Sequence, residues 1–136
     1  MRFMMFIYPN PETETDYPMP SAEEVAVMMK FNQQMLDAGV MLTGEGLHPT
    51  SKGARVRFKN GRPQVTDGPF TETKEVLGGY WMLQVHSKEE AIEWAKRVPI
   101  EDERALIELR QVFDMEDFPP DVQQAAGFAP TADQEK

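Results

Sequence analysis

Twice along this chain a strand-length apolar run is followed by a serine with a glutamate three residues further on. Ser21 with Glu24 and Ser87 with Glu90 have the spacing of a capping box, in which the serine oxygen accepts a backbone N–H of the first turn and the glutamate bonds back to the serine. After Ser21, the residues Val25, Met28, Met29, Met35 and Leu36 recur at helical intervals until Gly39, which predicts a helix over 22–38. After Ser87, the residues Ala91, Ile92, Ala95 and Val98 do the same until Pro99. Apolar strands flank both helices: 1–8 and 40–42 around the first, 79–85 and 105–112 around the second. Between the two units, Ala54–Lys59 alternates apolar and basic residues, Asn60-Gly61 is a favoured two-residue turn, and Arg62–Thr66 returns as a hairpin. The order is β-α-β, hairpin, β-α-β: an α+β chain of split βαβ, or ferredoxin-like, pattern with an inserted hairpin.

Such a sheet carries its helices on one face and leaves the other bare. Residues 1–8 hold six apolar side chains and one charge, which suits a strand buried on both faces, so something must cover the bare one. A second copy of the chain is the simplest cover, and a homodimer is therefore expected.

At 136 residues the chain fits one domain and one modest core. Residues 1–118 carry the pattern, and 119–136 read as an acidic, mobile tail. Phe113, Met115 and Phe118 lie among carboxylates just before it, as an arm packing either on its own chain or on a partner. The absence of cysteine removes disulfides, thiolate nucleophiles and thiolate metal sites, and fits a reducing compartment, with cytoplasm as the expectation. Phe3–Tyr8 is too short for a membrane span, so no membrane association is expected. A net charge of −9 opposes nucleic acid as a partner. The local exception is Arg55, Arg57, Lys59 and Arg62, a charged hairpin face that could hold a small anion.

Two histidines offer acid–base chemistry. His86 sits just before a helix cap, an ordinary surface position, whereas His48 lies between Gly44-Glu45-Gly46 and Pro49 at an irregular strand end, where scaffolds present reactive groups. Asp67 either caps the Gly68-Pro69 turn or orients a histidine, and the two roles are compatible. If His48 and Asp67 converge they form a candidate acid/base dyad, with Glu45 as a third titratable group. Arg55, Arg57 and Phe70 are candidate ligand contacts. Phe70, Tyr80, Trp81 and Trp94 could line a pocket, although aromatics at strand and helix spacing more often belong to a core. Neither the spacing of a metal site nor a phosphate loop, nucleophile elbow or nucleotide fingerprint is present, so no metal and no cofactor are expected.

Four segments resemble a known family. Gly44-Glu45-Gly46-Leu47-His48-Pro49, Val65-Thr66-Asp67-Gly68-Pro69-Phe70-Thr71-Glu72-Thr73-Lys74-Glu75, Gly78-Gly79-Tyr80-Trp81 and Glu90-Ala91-Ile92-Glu93-Trp94-Ala95 are similar to the YCII-related proteins of the DGPF group, over most of residues 1–118. The resemblance implies a ferredoxin-like fold paired into a dimeric α+β barrel, with a site around a histidine and an aspartate. By position Asp67 matches the motif aspartate, and His48 matches the histidine of the subgroup with the Gly-Glu-Gly-Leu-His-Pro form. It further implies an association with extracytoplasmic-function sigma factors.

Three readings accept this fold. One is an enzyme or binder of a small polar molecule, using His48 as acid/base, Asp67 as its partner and the Arg55/Arg57 face for an anion. The second is a non-catalytic regulatory or interaction dimer. The third makes Asp67–Phe70 a folding and dimer-forming element, with Phe70 as its anchor.

Overall fold

The computed structural model describes residues 1–10, 20–70 and 75–127. Strand β1 (Arg2–Tyr8) runs through the middle of a four-stranded sheet of order β2-β5-β1-β6, in which every neighbouring pair is antiparallel. Its partners are β5 (Gly79–Gln84) and β6 (Leu106–Gln111), and β2 (Met41–Gly46) flanks β5 at the sheet edge. Phe3 faces Leu83, Met5 faces both Trp81 and Leu109, and Ile7 faces Ile107. A strand places successive side chains on opposite faces, so these residues form one apolar layer.

The layer is covered by helices α1 (Ala22–Asp37) and α2 (Lys88–Lys96). Both begin as their caps predict: the Ser21 hydroxyl accepts the Glu24 amide at 3.1 Å, and the Ser87 hydroxyl accepts the Glu90 amide at 3.1 Å. The Glu90 carboxylate reaches back to accept the His86 amide at 2.8 Å, which fixes His86 as a neighbour of the cap. Gly39 ends α1 with φ 71°, and the next amide, Val40, bonds back to the Met35 carbonyl. Phe31 and Met35 of α1 and Ala91 of α2 join Phe3, Met5, Trp81 and Leu83 in one buried cluster. Met5, Met35 and Leu83 are its largest fully enclosed side chains, and truncating such a residue to alanine costs about 2–5 kcal/mol. The Trp81 indole, edge-on to Phe31 at 6.0 Å, also donates to the Asn32 side-chain oxygen at 2.9 Å, so its buried N–H is satisfied.

The opposite face of the sheet bears Met4, Phe6 and Tyr8 of β1, Tyr80 and Met82 of β5 and Leu106 of β6, all half-buried, with Glu45 and Glu108 among them. Strands β3 (Ala54–Lys59) and β4 (Arg62–Asp67) form a separate two-stranded sheet rather than extending this one. The Asn60-Gly61 turn closes it with positive φ at both residues, 52° and 74°, and Lys59 pairs with Arg62.

After β6 the chain folds back on its own first strand. The Arg2 guanidinium forms a 2.9 Å ion pair with Asp114 and donates to the Phe113 carbonyl. Phe113 stacks on Phe118 at 4.8 Å across a short 3-10 turn, Met115–Asp117. A third helix, α3 (Pro120–Ala125), follows where the sequence reading has only tail. Pro120 suits a first helical position, but six residues are too few to leave a hydrophobic period in the sequence. Residues 128–136, the end of the predicted tail, lie outside the described residues, as do residues 71–74. Among the described residues no helix is long and apolar enough to cross a membrane.

Candidate functional site

The segment that carries His48 leaves β2 at the sheet end where Gly46 pairs with Gly79. The Leu47 amide donates to the Gly78 carbonyl at 2.9 Å, and Pro49 then leads into a 3-10 turn over Thr50–Lys52. Asp67 arrives from the other direction, as the last residue of β4, opposite Ala54. Three contacts knot the two segments together. The Gly68 amide donates to the Gly53 carbonyl at 3.0 Å, and the Phe70 amide donates to the Thr50 hydroxyl at 3.0 Å. The Gly68 Cα lies so close to the Thr50 carbonyl that a Cβ there would collide with it. Glycine is thus required at 68 by close approach. The peptide that follows, Gly68-Pro69, is cis.

Phe70 ends the turn as a buried anchor, and the Arg55 guanidinium lies 3.9 Å above its ring centroid. A guanidinium over an aromatic face is attracted by the ring quadrupole, so Arg55 also clamps the base of the hairpin onto the turn. Arg57, one pleat further along the same face, is exposed and stands opposite Gln64.

His48 and Asp67 therefore flank one knot, with Thr50 at its centre. Both side chains are exposed, and among the described residues no hydrogen bond or ion pair joins them. Glu45 stands apart from them on the open sheet face, opposite Tyr80. Among the described residues no group of three or more His, Asp or Glu side chains is arranged to hold a metal ion.

Tyr8 lies at the same end of the sheet, also on the open face. Partial burial pushes its phenol above the usual value, the carboxylates of Glu108 and Glu75 push it further, and Arg110 opposes them. In the loop before β6, the Arg104 amide donates to Asp102 at 2.9 Å and holds that carboxyl below its usual range, helped by the side chain of buried Asn10. Neither group stands out in the sequence, because a tyrosine at a strand end and an aspartate in a loop are ordinary there. Thr50 gives no motif signal either. By contrast Trp81 belongs to the core, as aromatic spacing suggests, and an open depression of about 280 Å³ lined by Gln111, Val112, Phe113 and Asp117 lies at the far end of β6 from His48.

The stretch that builds the sheet, both helices and the knot is also the stretch that matches a known family: the YCII-related domain profile covers residues 1–116. This chain belongs to the YCII-related domain family. An uncharacterised protein of Rhizobium meliloti (strain 1021) is 37% identical to it over 71 residues, which is 52% of this chain and 54% of that protein. The match thus spans about half the length of that curated relative. In this YCII-related chain a motif glycine has a packing duty as well. A Cβ on Gly44 would stand 2.7 Å from the Trp81 ring, so Gly44 makes room on one strand for the indole of the next.

Proposed function

We propose that this YCII-related chain binds, or acts on, a small polar or anionic molecule at the Thr50 knot, with His48 as acid/base and Asp67 as its charged partner. The observation that carries the reading is the pairing of the His48 loop with the Asp67 turn by two hydrogen bonds, Gly68 to Gly53 and Phe70 to Thr50. A scaffold that ties a histidine segment to an aspartate segment twenty residues away holds both within a small volume without consuming either side chain. Arg55 and Arg57 offer an anion counter-charge beside the knot, on the ribbon face away from Asp67, while Glu45 stands apart on the open sheet face.

In this reading the chain is a ferredoxin-like domain of the DGPF group, working as a homodimeric α+β barrel in the cytoplasm. The antiparallel order β2-β5-β1-β6, with both helices in one cluster, supports the fold, and the half-buried apolar residues Met4, Phe6, Tyr80 and Met82 support a second copy on the open face. Because His48 and Asp67 are exposed in a single chain, the partner supplies the enclosure that a binding site needs.

A second reading, a non-catalytic regulatory dimer that contacts a partner such as an extracytoplasmic-function sigma factor, is favoured by the same exposure of both side chains. A screen of small carboxylates and inorganic phosphate separates the two, read by amide shifts at His48, Gly68 and Phe70. Saturable shifts that vanish in His48→Gln and Asp67→Asn support the small-molecule site. Binding that ignores both substitutions, or no shift with any probe, counts against it.

A further inference from the structure

The chain has three asparagines, at 10, 32 and 60, and the fold gives each a different chemical setting. An asparagine loses its side-chain amide when the backbone nitrogen of the next residue attacks its Cγ. That nitrogen must carry a hydrogen, be open to approach and be uncommitted to a hydrogen bond. Asn10 precedes Pro11, whose nitrogen has no hydrogen, and is itself buried with its side chain bonded to Asp102. Asn32 lies inside α1, where the following amide belongs to the helix ladder, and its side-chain oxygen accepts the Trp81 indole N–H at 2.9 Å. Both are locked.

Asn60 meets every requirement. It is followed by Gly61, and both are exposed at the tip of the β3–β4 hairpin. Gly61 has no side chain to shield its nitrogen, and the space where a Cβ would stand is empty to 4 Å. The cross-strand pair is Lys59 with Arg62, so the Gly61 amide lies outside the ladder. Among the described residues neither that amide nor the Asn60 side chain has a hydrogen-bond partner. Lys59 and Arg62 flank the pair, and their positive charges favour the negative charge that develops during attack. The end of the ribbon is not packed, with Phe58 76% and Val65 68% exposed, so the turn opens locally without unfolding the body.

We propose that Asn60 is a site of spontaneous modification, at which the folded chain converts its hairpin tip from amide to acid. The Gly61 nitrogen bonds to Asn60 Cγ, the bond from Cγ to the side-chain nitrogen breaks, and ammonia leaves with the proton that Gly61 gives up. Water then opens the cyclic imide. Addition at Cγ gives aspartate, and addition at the main-chain carbonyl gives isoaspartate, whose backbone runs through the former side chain. Either product places a negative charge between Lys59 and Arg62. Isoaspartate also adds a methylene to a turn whose two-residue length sets their pairing. The base of the hairpin keeps its hold, through the Gly68 to Gly53 bond and Arg55 over Phe70. Modification therefore weakens the cationic tip and spares the Thr50 knot, and the inference is independent of the ligand reading.

The test is incubation of the folded full-length protein at mildly alkaline pH, followed by digestion and mass spectrometry with fragmentation that separates aspartate from isoaspartate. Expected are conversion at Asn60 with isoaspartate as the larger product, intact amides at Asn10 and Asn32, and a new isoelectric-focusing band one charge more acidic. That band is absent in Asn60→Gln. Amide spectra of the aged protein should lose the contact between Lys59 and Arg62 and keep that between Ala54 and Asp67, whereas Asn60→Asp, with the charge and no added methylene, keeps both. An amide at Asn60 that survives in the folded protein while the urea-unfolded chain is converted overturns the proposal. So does conversion at Asn10 or Asn32 that keeps pace with Asn60.

Discussion

The hydroxyl of Thr50 accepts the amide of Phe70 at 3.0 Å, and this bond, spanning twenty residues, is what holds the Asp67 turn against the loop that follows His48. Thr50→Val keeps the shape and removes the acceptor, leaving a part-buried N–H unpaired. The expected loss is about 1–2 kcal/mol of unfolding free energy, measured by urea denaturation. Gly68→Ala should cost more, because its Cβ meets the Thr50 backbone carbonyl rather than a flexible side-chain end. If Gly68→Ala is as stable as the native chain, the close approach at the knot is wrong.

Gly44 and Trp81 form a second such pair, one strand giving way to the ring of the next. Adding a methyl in Gly44→Ala forces the indole to move, at a cost of about 1–3 kcal/mol by the usual penalty for overpacking. It also disturbs the 2.9 Å bond from Trp81 to Asn32, so tryptophan fluorescence should shift along with the melting temperature. An unchanged emission spectrum would contradict this packing.

Tyr8 makes a prediction at high pH. Its folded pKa is raised, first by burial and then by Glu108 and Glu75, above an unfolded value of about 10. The neutral phenol therefore contributes stability that is fully present below that unfolded value and is lost as pH rises through the folded one. Ultraviolet titration should show a late-ionising component that is absent in Tyr8→Phe and moved toward the ordinary value in Glu108→Gln.

Asp102 acts at the opposite end of the pH scale. Its folded pKa is lowered, chiefly by the Arg104 amide, so its contribution is present above the unfolded value of about 3.9 and lost as pH falls through the folded one. Asp102→Asn is expected to flatten the acid limb of the stability curve. Thermal melts across that limb, compared between the two proteins, provide the check.

The fold was legible where local chemistry and tertiary packing agree. Ser21 and Ser87 cap the helices they announce, Asn60-Gly61 turns the hairpin it announces, and Phe3, Met5, Trp81 and Leu83 of the two apolar strand segments fill the core. What stayed hidden depends on contacts between distant segments. That β3 and β4 pair only with each other, that Gly68 abuts Thr50, and that Arg55 covers Phe70 leave no periodic trace in the chain. The site was legible in part for the same reason. Residues 48 and 67 stand out by their setting, but the polar residue between their segments, Thr50, looks like any loop threonine. Helix α3 was missed because a single turn and a half carries too few residues to show a face.

The central claim is that His48 and Asp67 work as one unit, and a double-mutant cycle of His48→Gln and Asp67→Asn on binding of small carboxylates and inorganic phosphate tests it most directly. The full-length protein serves for all four measurements, read by the amide shifts of Gly68 and Phe70. The account predicts that each substitution weakens binding and that the double variant loses less than the sum of the two, by about 0.5 kcal/mol or more. Losses that simply add, or binding that ignores both substitutions, would contradict the dyad and leave the Asp67–Phe70 turn as a structural element.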